Sequence, residues 1–443
     1  MPVCRAEVHQ KAGRTTTMDY MQEAPQLIET DAEMASRPNG NGVADGNELG
    51  IWQLNTHDAV RYHWRVWELT GLIQPAGMSR PLHLLRAILI NALVTLLFPL
   101  TLLAKLFFTH SLQELCENLT ITITDIAANF KFINVYLVRR QLAEIRRLLQ
   151  QLDRRAIGVQ HPEELQALQL AINMARNSFR IFAGIFVFGT ALSCLRVTIS
   201  RERTLLYPAW FGIDWQHSDA AYLCLCGYQL FGLAVQALQD CANDSYPPAY
   251  LCILTGHMRA LELRVRRIGY PAWSSRSVSC DHQRWRRAVH VELCSCIDDY
   301  INIIKLHAII QQILSIACLA QFLCSAAVQC TVGMHFLYVT DSNDLSAMAL
   351  SMVFFIAVTL EVFIICYFGD RMRGQSEKLC DAFYACNWVD QTPQFRRILI
   401  ITLMTSQQTF CIYAGGYIAV TLKTFVQVIR STWSVFTLLL RAK

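Results

Sequence analysis

A row of polar side chains lies inside the hydrophobic segment TFVQVIRSTWSVFTLLLRAK. The row consists of Gln427, Arg430, Ser431, Ser434 and Arg441. These positions recur at steps of three and four residues, so on a helix they form one stripe. A membrane helix with a polar stripe must direct it toward protein or toward water. The stripe therefore indicates either a helix–helix contact or the wall of an aqueous pore.

Two other groups of residues have the chemistry of a reactive centre without the necessary spacing. Asp298 and Asp299 in CIDDY lie among arginines, which is typical of a salt-bridged helix surface. The 17 cysteines are scattered, mostly within hydrophobic stretches, where a thiol acts as a small apolar side chain. We find no catalytic triad, Walker loop, nucleotide fingerprint or zinc-ligand spacing. The sequence predicts no enzyme, metal, cofactor or nucleic-acid partner.

Composition identifies the elements that carry these residues as membrane helices. Apolar residues make up 53% of the chain and charged residues only 16%, compared with roughly 25% charged residues in soluble proteins. Several stretches contain the roughly 20 apolar residues that a helix needs to cross the hydrocarbon core. The sequence therefore predicts an all-α, multi-pass membrane protein.

Hydropathy predicts seven transmembrane helices within one domain over 84–443. They cover about 84–108, 115–138, 178–199, 221–243, 306–338, 348–368 and 408–440. Residues 1–50 form a predicted disordered tail and 51–83 a predicted amphipathic segment on the membrane surface. The second span carries Asp125 and Lys131, spaced for opposite faces or for a water-filled notch. The last span contains two adjacent glycines, where we expect the helix to break.

Arginine and lysine are concentrated in every second loop. The loops after spans two, four and six contain clusters of these residues, whereas the loops after spans one and five contain none. The loop after span three contains only Arg201 and Arg203. Because positively charged loops remain in the cytoplasm, the sequence predicts a cytoplasmic N-terminus and an extracellular C-terminus. This orientation is the inverse of that of a G-protein-coupled receptor.

Four segments of the chain resemble the insect odorant receptor family. FGDRMRGQSEKLCDAFYACNW resembles the family segment after span six, with Ser376, Glu377, Tyr384 and Trp388 in the expected places. AGGYIAVTLKTFVQVIRSTWSVFTLLLRAK resembles the final span, LLYPAWFGIDWQHS the second outer loop, and WELTGLIQP the approach to span one. Together the similar segments cover most of residues 60–443.

The resemblance implies a function. In this family four subunits form a ligand-gated, non-selective cation channel, in which a variable odorant-binding subunit assembles with a shared co-receptor. The last span of each subunit lines the pore, and the cytoplasmic parts of spans four to seven anchor the subunits; Ser376, Glu377, Tyr384 and Trp388 are candidates for this anchor. The implied location is the plasma membrane of olfactory sensory neurons, in dendrites or cilia. The short loop between spans four and five and the ending LLLRAK depart from the co-receptor, so the chain resembles an odorant-specific subunit.

The resemblance also assigns candidate pore residues. Leu438 takes the place of the family's narrow hydrophobic gate, and Arg441 and Ala442 take the next turn at the outer mouth. Ser434 and Gln427 lie on the same predicted stripe. A ring of leucine side chains blocks ions by dewetting, because no polar group replaces their hydration. In the competing interpretation the stripe packs on a neighbouring helix and Arg441 extends to the membrane interface.

By the same resemblance, the ligand binds within the outer halves of spans two, three, four and six. The candidate residues are Thr124, Phe188, Leu192, Tyr222, Tyr228, Met352 and Phe355. Volatile ligands offer few hydrogen bonds, so aromatic and methionine surfaces are expected to select among them. The sequon at Asn118 is a glycosylation candidate on the outer side, although it lies directly beside span two.

Three alternatives remain at this point. A gustatory-type receptor shares the topology, but TFVQVIRSTW lacks the Thr-Tyr…Gln-Phe order of that group. A receptor that signals through G proteins conflicts with the predicted orientation. A transporter is expected to show internal repeats, and none is found between the two halves of the chain.

Overall fold

The computed structural model describes residues 54–75, 77–109, 111–199, 203–270, 282–342 and 345–442. The tail predicted over 1–50 lies outside the described residues. A 3-10 turn over Thr56–Val60 precedes the helices α1 (Arg61–Leu69), α2 (Arg80–Leu106), α3 (Leu112–Leu137), α4 (Arg139–Val159), α5 (Pro162–Ile199), α6 (Asp219–Arg267), α7 (His282–Ser342), α8 (Leu345–Ala385), α9 (Pro393–Ser406) and α10 (Leu422–Ala442). One two-stranded hairpin, of β1 (Tyr413–Ala414) and β2 (Ile418–Ala419), lies between α9 and α10. The predicted all-α fold is confirmed.

Five of the described helices are long and apolar enough to cross a membrane. They are α2, α5, α6, α7 and α8, and the pair α3–α4, which is bent by 61°, adds a sixth. Of the seventh predicted span, 408–440, only the part from Leu422 is helical, as α10, and α10 is not among the helices that meet this length and hydropathy test. The helices α6, α7 and α8 contain 49, 61 and 41 residues. At a rise of about 1.5 Å per residue they extend for about 60–90 Å. This exceeds the roughly 30 Å thickness of the hydrocarbon core, and each of them therefore continues well outside the membrane.

Most of the buried apolar side chains form one core, to which α6, α7 and α8 all contribute. The segment before α2 docks onto it. Trp67 is 1% exposed and its Nε1 donates a hydrogen bond to Asn243 Oδ1 at 3.2 Å. The amide of Thr56 donates to Asp153 Oδ2 at 2.9 Å. Residues 54–73 and 86–442 form one compact unit; residues 74–85 lie outside it, and there Gln74 Nε2 donates to the Met78 carbonyl at 2.9 Å.

A buried ionic network joins α5, α6 and α7. The guanidinium of Arg264 donates to Glu164 Oε2 through Nε at 3.0 Å and Nη2 at 2.7 Å, and to Asp299 Oδ2 through Nη1 at 2.7 Å. Arg155 on α4 donates to the other oxygen of Asp299 at 2.7 Å. Asp298, by contrast, is largely exposed. The arginines and acids of the sequence thus form a salt-bridged junction, as CIDDY indicated, although one member of the acidic pair is buried.

The last predicted span breaks at its glycine pair. Gly415 and Gly416 have φ angles of 60° and 82°, in the left-handed region that glycine adopts without strain. They form the turn of the hairpin, and the amide of Gly415 donates to the carbonyl of Ser315 on α7 at 2.8 Å. A Cβ on Gly415 would lie 2.8 Å from Leu319 Cδ2. The helix after the break begins only at Leu422, so the segment before it is a hairpin fixed to α7 rather than a further piece of helix.

Candidate ligand site and pore helix

A cavity of about 120 Å³, here called the inner cavity, lies between α3, α5, α6 and α8. These helices carry the predicted spans two, three, four and six. One part of the wall is apolar and includes Ile121, Phe186 and Leu233. Asp240 and Glu361 contribute carboxyl groups to the same wall. The arrangement gives a small ligand an apolar surface together with a few polar groups that can orient it.

A smaller cavity of about 30 Å³, here called the polar cavity, shares Asp240 and Glu361 with the inner cavity. Lys131 on α3 lines it, and its Nζ lies 2.5 Å from Asp244 Oδ1 on α6. Gln321 Nε2 on α7 donates to Glu361 Oε2 at 2.7 Å. Charged groups from three helices therefore meet where an ordinary membrane helix bundle would be apolar.

The carboxyl groups of this cluster differ in how they are satisfied. Asp125 lines the inner cavity, is 2% exposed and accepts a hydrogen bond from Gln236 Nε2. Asp240 is 6% exposed, and its Oδ1 accepts no hydrogen bond from any described residue. A buried acceptor without a partner is costly, so Asp240 is the group in this cluster that a ligand would best satisfy.

A third cavity of about 360 Å³, here called the α10 crevice, lies between α7, α8 and α10. Its wall is almost entirely apolar and includes Phe336, Trp433 and Phe436. Because α10 forms one side of it, any molecule in this crevice would contact the final helix directly.

The residues predicted from the sequence to bind the ligand are distributed between two cavities. Thr124 lines the inner cavity, whereas Met352 and Phe355 line the α10 crevice. Phe188, Leu192, Tyr222 and Tyr228 belong to neither lining. The aromatic and methionine side chains therefore do not converge on one pocket.

The two predicted tyrosines and the sequon asparagine bind backbone groups. Tyr228 Oη donates to the carbonyl of Leu93 at 2.8 Å, and Tyr222 Oη donates to the carbonyl of Thr204 at 3.1 Å. Asn118 is fully buried, and its Nδ2 donates to a backbone carbonyl at 3.0 Å. Attachment of a glycan to that nitrogen would require this contact to break.

The final helix contacts the rest of the chain through one face. Phe436 packs over Gly333 of α7, where a Cβ would lie 3.0 Å from the ring. The ring of Phe425 lies 5.4 Å, centroid to centroid, from that of Phe363 on α8. Thr432, on the same face, is buried and its hydroxyl donates to the carbonyl of Val428.

The predicted polar stripe is the uncovered face of α10. Its exposed members are Gln427, Arg430, Ser431, Ser434, Leu438 and Arg441. Leu438 is 69% exposed, and neither arginine forms an ion pair with a described residue. The side chain of Ala442 lies outside what the structure describes. Within the described chain, then, no helix covers the stripe.

The four predicted anchor residues lie at the end of α8 and just after it, in different environments. Ser376 is buried, and its Oγ accepts a hydrogen bond from the amide of Phe410 at 3.0 Å. Glu377 and Arg373 form an exposed pair at 3.5 Å. Trp388 packs against the main core, whereas Tyr384 is 68% exposed. Tyr384 is therefore the member of this set with the largest available apolar surface.

Sequence reasoning missed Asp240, Asp244 and Glu361. Their signal is an acidic residue within a hydrophobic stretch, as in QDCANDS and TLEVF. Asp125 and Lys131 gave the same signal, and Asp125 lines the inner cavity while Lys131 lines the polar cavity. What the sequence did not reveal is that all five residues meet.

The family comparison decides the class of this protein. The model of the 7tm odorant receptors matches residues 111–433. The chain belongs to the insect odorant receptor family. The receptor is 62% identical over 392 residues to odorant receptor 2a of Drosophila melanogaster, a match that covers 88% of this chain and 98% of that relative. It is 30% identical over 389 residues to odorant receptor 33b of the same organism, covering 87% and 97% of the two chains.

Solved structures support the fold of the receptor. The insect olfactory receptor OR5 from Machilis hrabei matches with a TM-score of 0.65 at 12% identity, covering 88% of this chain and 100% of that one. The same protein in complex with eugenol matches with a TM-score of 0.68. Its membership of the odorant receptor family makes the receptor a multi-span membrane protein of olfactory detection and not an enzyme.

Proposed function

We propose that the receptor binds a small volatile ligand in the inner cavity and gates a non-selective cation channel formed with the shared odorant co-receptor. The observation that carries this proposal is the uncovered polar stripe of α10. A stripe of this kind is stable in a membrane only against water or another subunit. Four such helices around one axis supply both, because each borders its neighbours and a common aqueous path.

The gate in this proposal is Leu438. Ser434 and Gln427 offer hydroxyl and amide groups to water along the pore, whereas Leu438 offers only a hydrocarbon surface. A ring that includes this leucine closes the path by dewetting. Arg441 and Ala442 then lie one turn further, at the outer mouth.

Assembly is supported by a second exposed surface. Apolar side chains around α9 and the end of α8 are strongly exposed: Tyr384 at 68%, Val389 at 64%, Ile400 and Ile401 at 58%, and Met404 at 69%. Exposed apolar side chains in a segment outside the predicted spans are typical of a protein interface. We assign this surface to contacts with the co-receptor in a heterotetramer. Of the four predicted anchor residues, Tyr384 then contacts the neighbouring subunit directly.

The helix α8 connects ligand and gate. It carries Glu361 in the wall of the inner cavity and Phe363, two residues later, against Phe425 of α10. A ligand that fits the inner cavity better in one position of α8 shifts the population toward the matching position of α10.

The arginine distribution and the family support a proposal for the orientation and the location of the receptor. The arginine-rich loops, including Arg139 and Arg140, support a cytoplasmic N-terminus and an extracellular C-terminus. The proposed location is the plasma membrane of olfactory sensory neurons, in their dendrites or cilia. The pore mouth then faces the fluid through which odorants arrive.

Voltage-clamp recording tests the proposal. An odorant panel is applied to cells expressing the receptor with or without the co-receptor, while G-protein signalling is blocked. We expect a fast cation current only with both subunits. Leu438→Ala is expected to increase the current without ligand, whereas Val426→Ala, which truncates an exposed side chain on another face of α10, is expected to leave it unchanged. Responses from the receptor alone that disappear under the G-protein block would contradict the channel mechanism.

A further inference from the structure

The inner cavity has an acidic end that a neutral volatile ligand does not require. Asp125, Asp240 and Glu361 line it, and Asp244 lines the adjoining polar cavity. Among the described residues that line the two cavities, Lys131 is the only cation, and its Nζ is already paired with Asp244 at 2.5 Å. Three carboxyl groups therefore face the inner cavity without a cationic partner of their own.

The carboxyl groups of Asp125 and Glu361 are at least partly satisfied by glutamines. Gln236 donates to Asp125, and Gln321 donates to Glu361 at 2.7 Å. Asp240 is only 6% exposed, yet its Oδ1 accepts no hydrogen bond from a described residue. Because Asp240 lines both cavities, the unsatisfied acceptor lies where a bound molecule can reach it.

We infer that the acidic end of the inner cavity binds the protonated amino group of a small aliphatic or aromatic amine. An ammonium group has three N–H donors and no acceptor, which matches a site composed of carboxylates. Its charge also favours the ionised form of the carboxyl groups that it contacts, which a neutral alcohol cannot do. Hydrogen bonds to charged partners are also about twice as strong as those between neutral groups.

The rest of the cavity fits the hydrocarbon part of such a ligand. Ile121, Phe186 and Leu233 line the same space as the acids. A short alkyl chain or a single ring would contact this apolar surface while the amine contacts Asp240. The inference rests on the proposed function, since it takes the inner cavity as the odorant site and specifies its ligand class.

Direct binding to the full-length receptor in lipid nanodiscs tests this site, with pentylamine and 1-pentanol as probes of equal heavy-atom number. We expect pentylamine to bind at least tenfold more tightly at neutral pH, which corresponds to about 1.4 kcal/mol. Asp240→Asn keeps the shape and removes the charge, and is expected to reduce this preference to less than twofold. Asp298→Asn, at the exposed acid on α7, is expected to retain it.

Glu361→Gln is the second variant, in case Asp240→Asn does not fold, and it is expected to reduce the amine preference at least threefold. Equal binding of the two probes by the unmodified receptor would overturn the inference. A tenfold preference that survives in both variants would also overturn it, because the amine would then bind elsewhere.

Current recordings from the same variants with the co-receptor separate this inference from the channel proposal. Currents evoked by neutral odorants without any amine preference in binding would refute only the amine site. Amine binding that depends on Asp240, with no ligand-evoked current for any compound, would refute the channel proposal and support the site.

Discussion

Arg264→Met is expected to destabilise the receptor strongly, because it removes the centre of a buried ionic network. The Arg264 side chain is 7% exposed, and that of Glu164 is 0% exposed. The substitution removes three charge-assisted hydrogen bonds, two to Glu164 and one to Asp299. Arg267 and Arg155 still contact the two acids, so the charges keep partial compensation. Breaking a buried ion pair from one side costs about 3–5 kcal/mol, and we expect a loss in this range.

The loss is measured as the change in the thermal unfolding midpoint of the purified receptor, followed by tryptophan fluorescence. The matched control is Arg147→Met, because the Arg147–Glu144 pair at 2.7 Å is exposed on the surface of α4 and such pairs contribute about 0–1 kcal/mol. Adding Glu164→Gln to Arg264→Met is expected to recover part of the loss, since it removes a buried charge that Arg264 no longer compensates. Equal midpoints for the two single variants would refute the reasoning.

The pH dependence provides a second readout of the same substitution. Burial raises the pKa of Asp299, which lies outside the predicted spans, and the charges of Arg264 and Arg155 counteract this rise. Without Arg264 the pKa of Asp299 is raised further. A carboxyl group whose pKa is higher in the folded than in the unfolded protein favours folding at low pH, and this contribution is lost as the pH rises through the folded pKa. The stability that Arg264→Met loses relative to the unmodified receptor is therefore expected to be larger at neutral pH than near pH 4.

Three further outcomes are expected. In Gly369→Ala the new Cβ would lie 2.3 Å from the carbonyl oxygen of Val420. This clash should displace the base of α10 and lower the free energy of unfolding, measured by thermal unfolding, by about 1–3 kcal/mol. Gly374→Ala, which has open space around its Cβ, should leave the free energy of unfolding unchanged. Arg430→Gln should increase single-channel cation conductance by a factor of about two to five, because it removes a positive charge that repels permeating cations. Two unit charges 4 Å apart in water interact by about 1 kcal/mol. An unchanged conductance would place Arg430 outside the pore. Burial lowers the pKa of His63 to about 4, so the folded protein disfavours its protonation, and stability should fall as the pH drops from about 6.5 to 4. His63→Gln should reduce the pH dependence of the unfolding midpoint over that interval.

Periodicity and composition were sufficient for the helical fold and for the stripe on α10. Both are properties of residues close together in sequence, such as Gln427 and Ser434, and a helix converts their spacing directly into a shared face. The glycine pair of the final span also indicated a break. Its form as a hairpin fixed to α7 could not be predicted, because it depends on the distant carbonyl of Ser315.

The acidic end of the inner cavity was beyond prediction for the same physical reason. Asp125, Asp240 and Glu361 belong to three helices, and no local pattern connects them. Their meeting depends on how those helices rotate about their axes and on their depth in the bundle. The predicted aromatic site failed to converge on one cavity because a large side chain in a span has several ways to be buried, as Tyr228 illustrates with its bond to Leu93.

The hairpin before α10 gives the final helix the mechanics of a lever with a fixed pivot. Its base is held by the bond from Gly415 to Ser315 and by a bond from the amide of Val420 to the carbonyl of Ile412, both 2.8 Å long. From Leu422 to Leu438 the helix extends about 24 Å at its rise of about 1.5 Å per residue. A tilt of about 5° at the pivot would therefore displace Leu438 by about 2 Å while hardly moving the first turn. In the proposed channel, small shifts of α8 against the helix are thus magnified at the end where ions would enter.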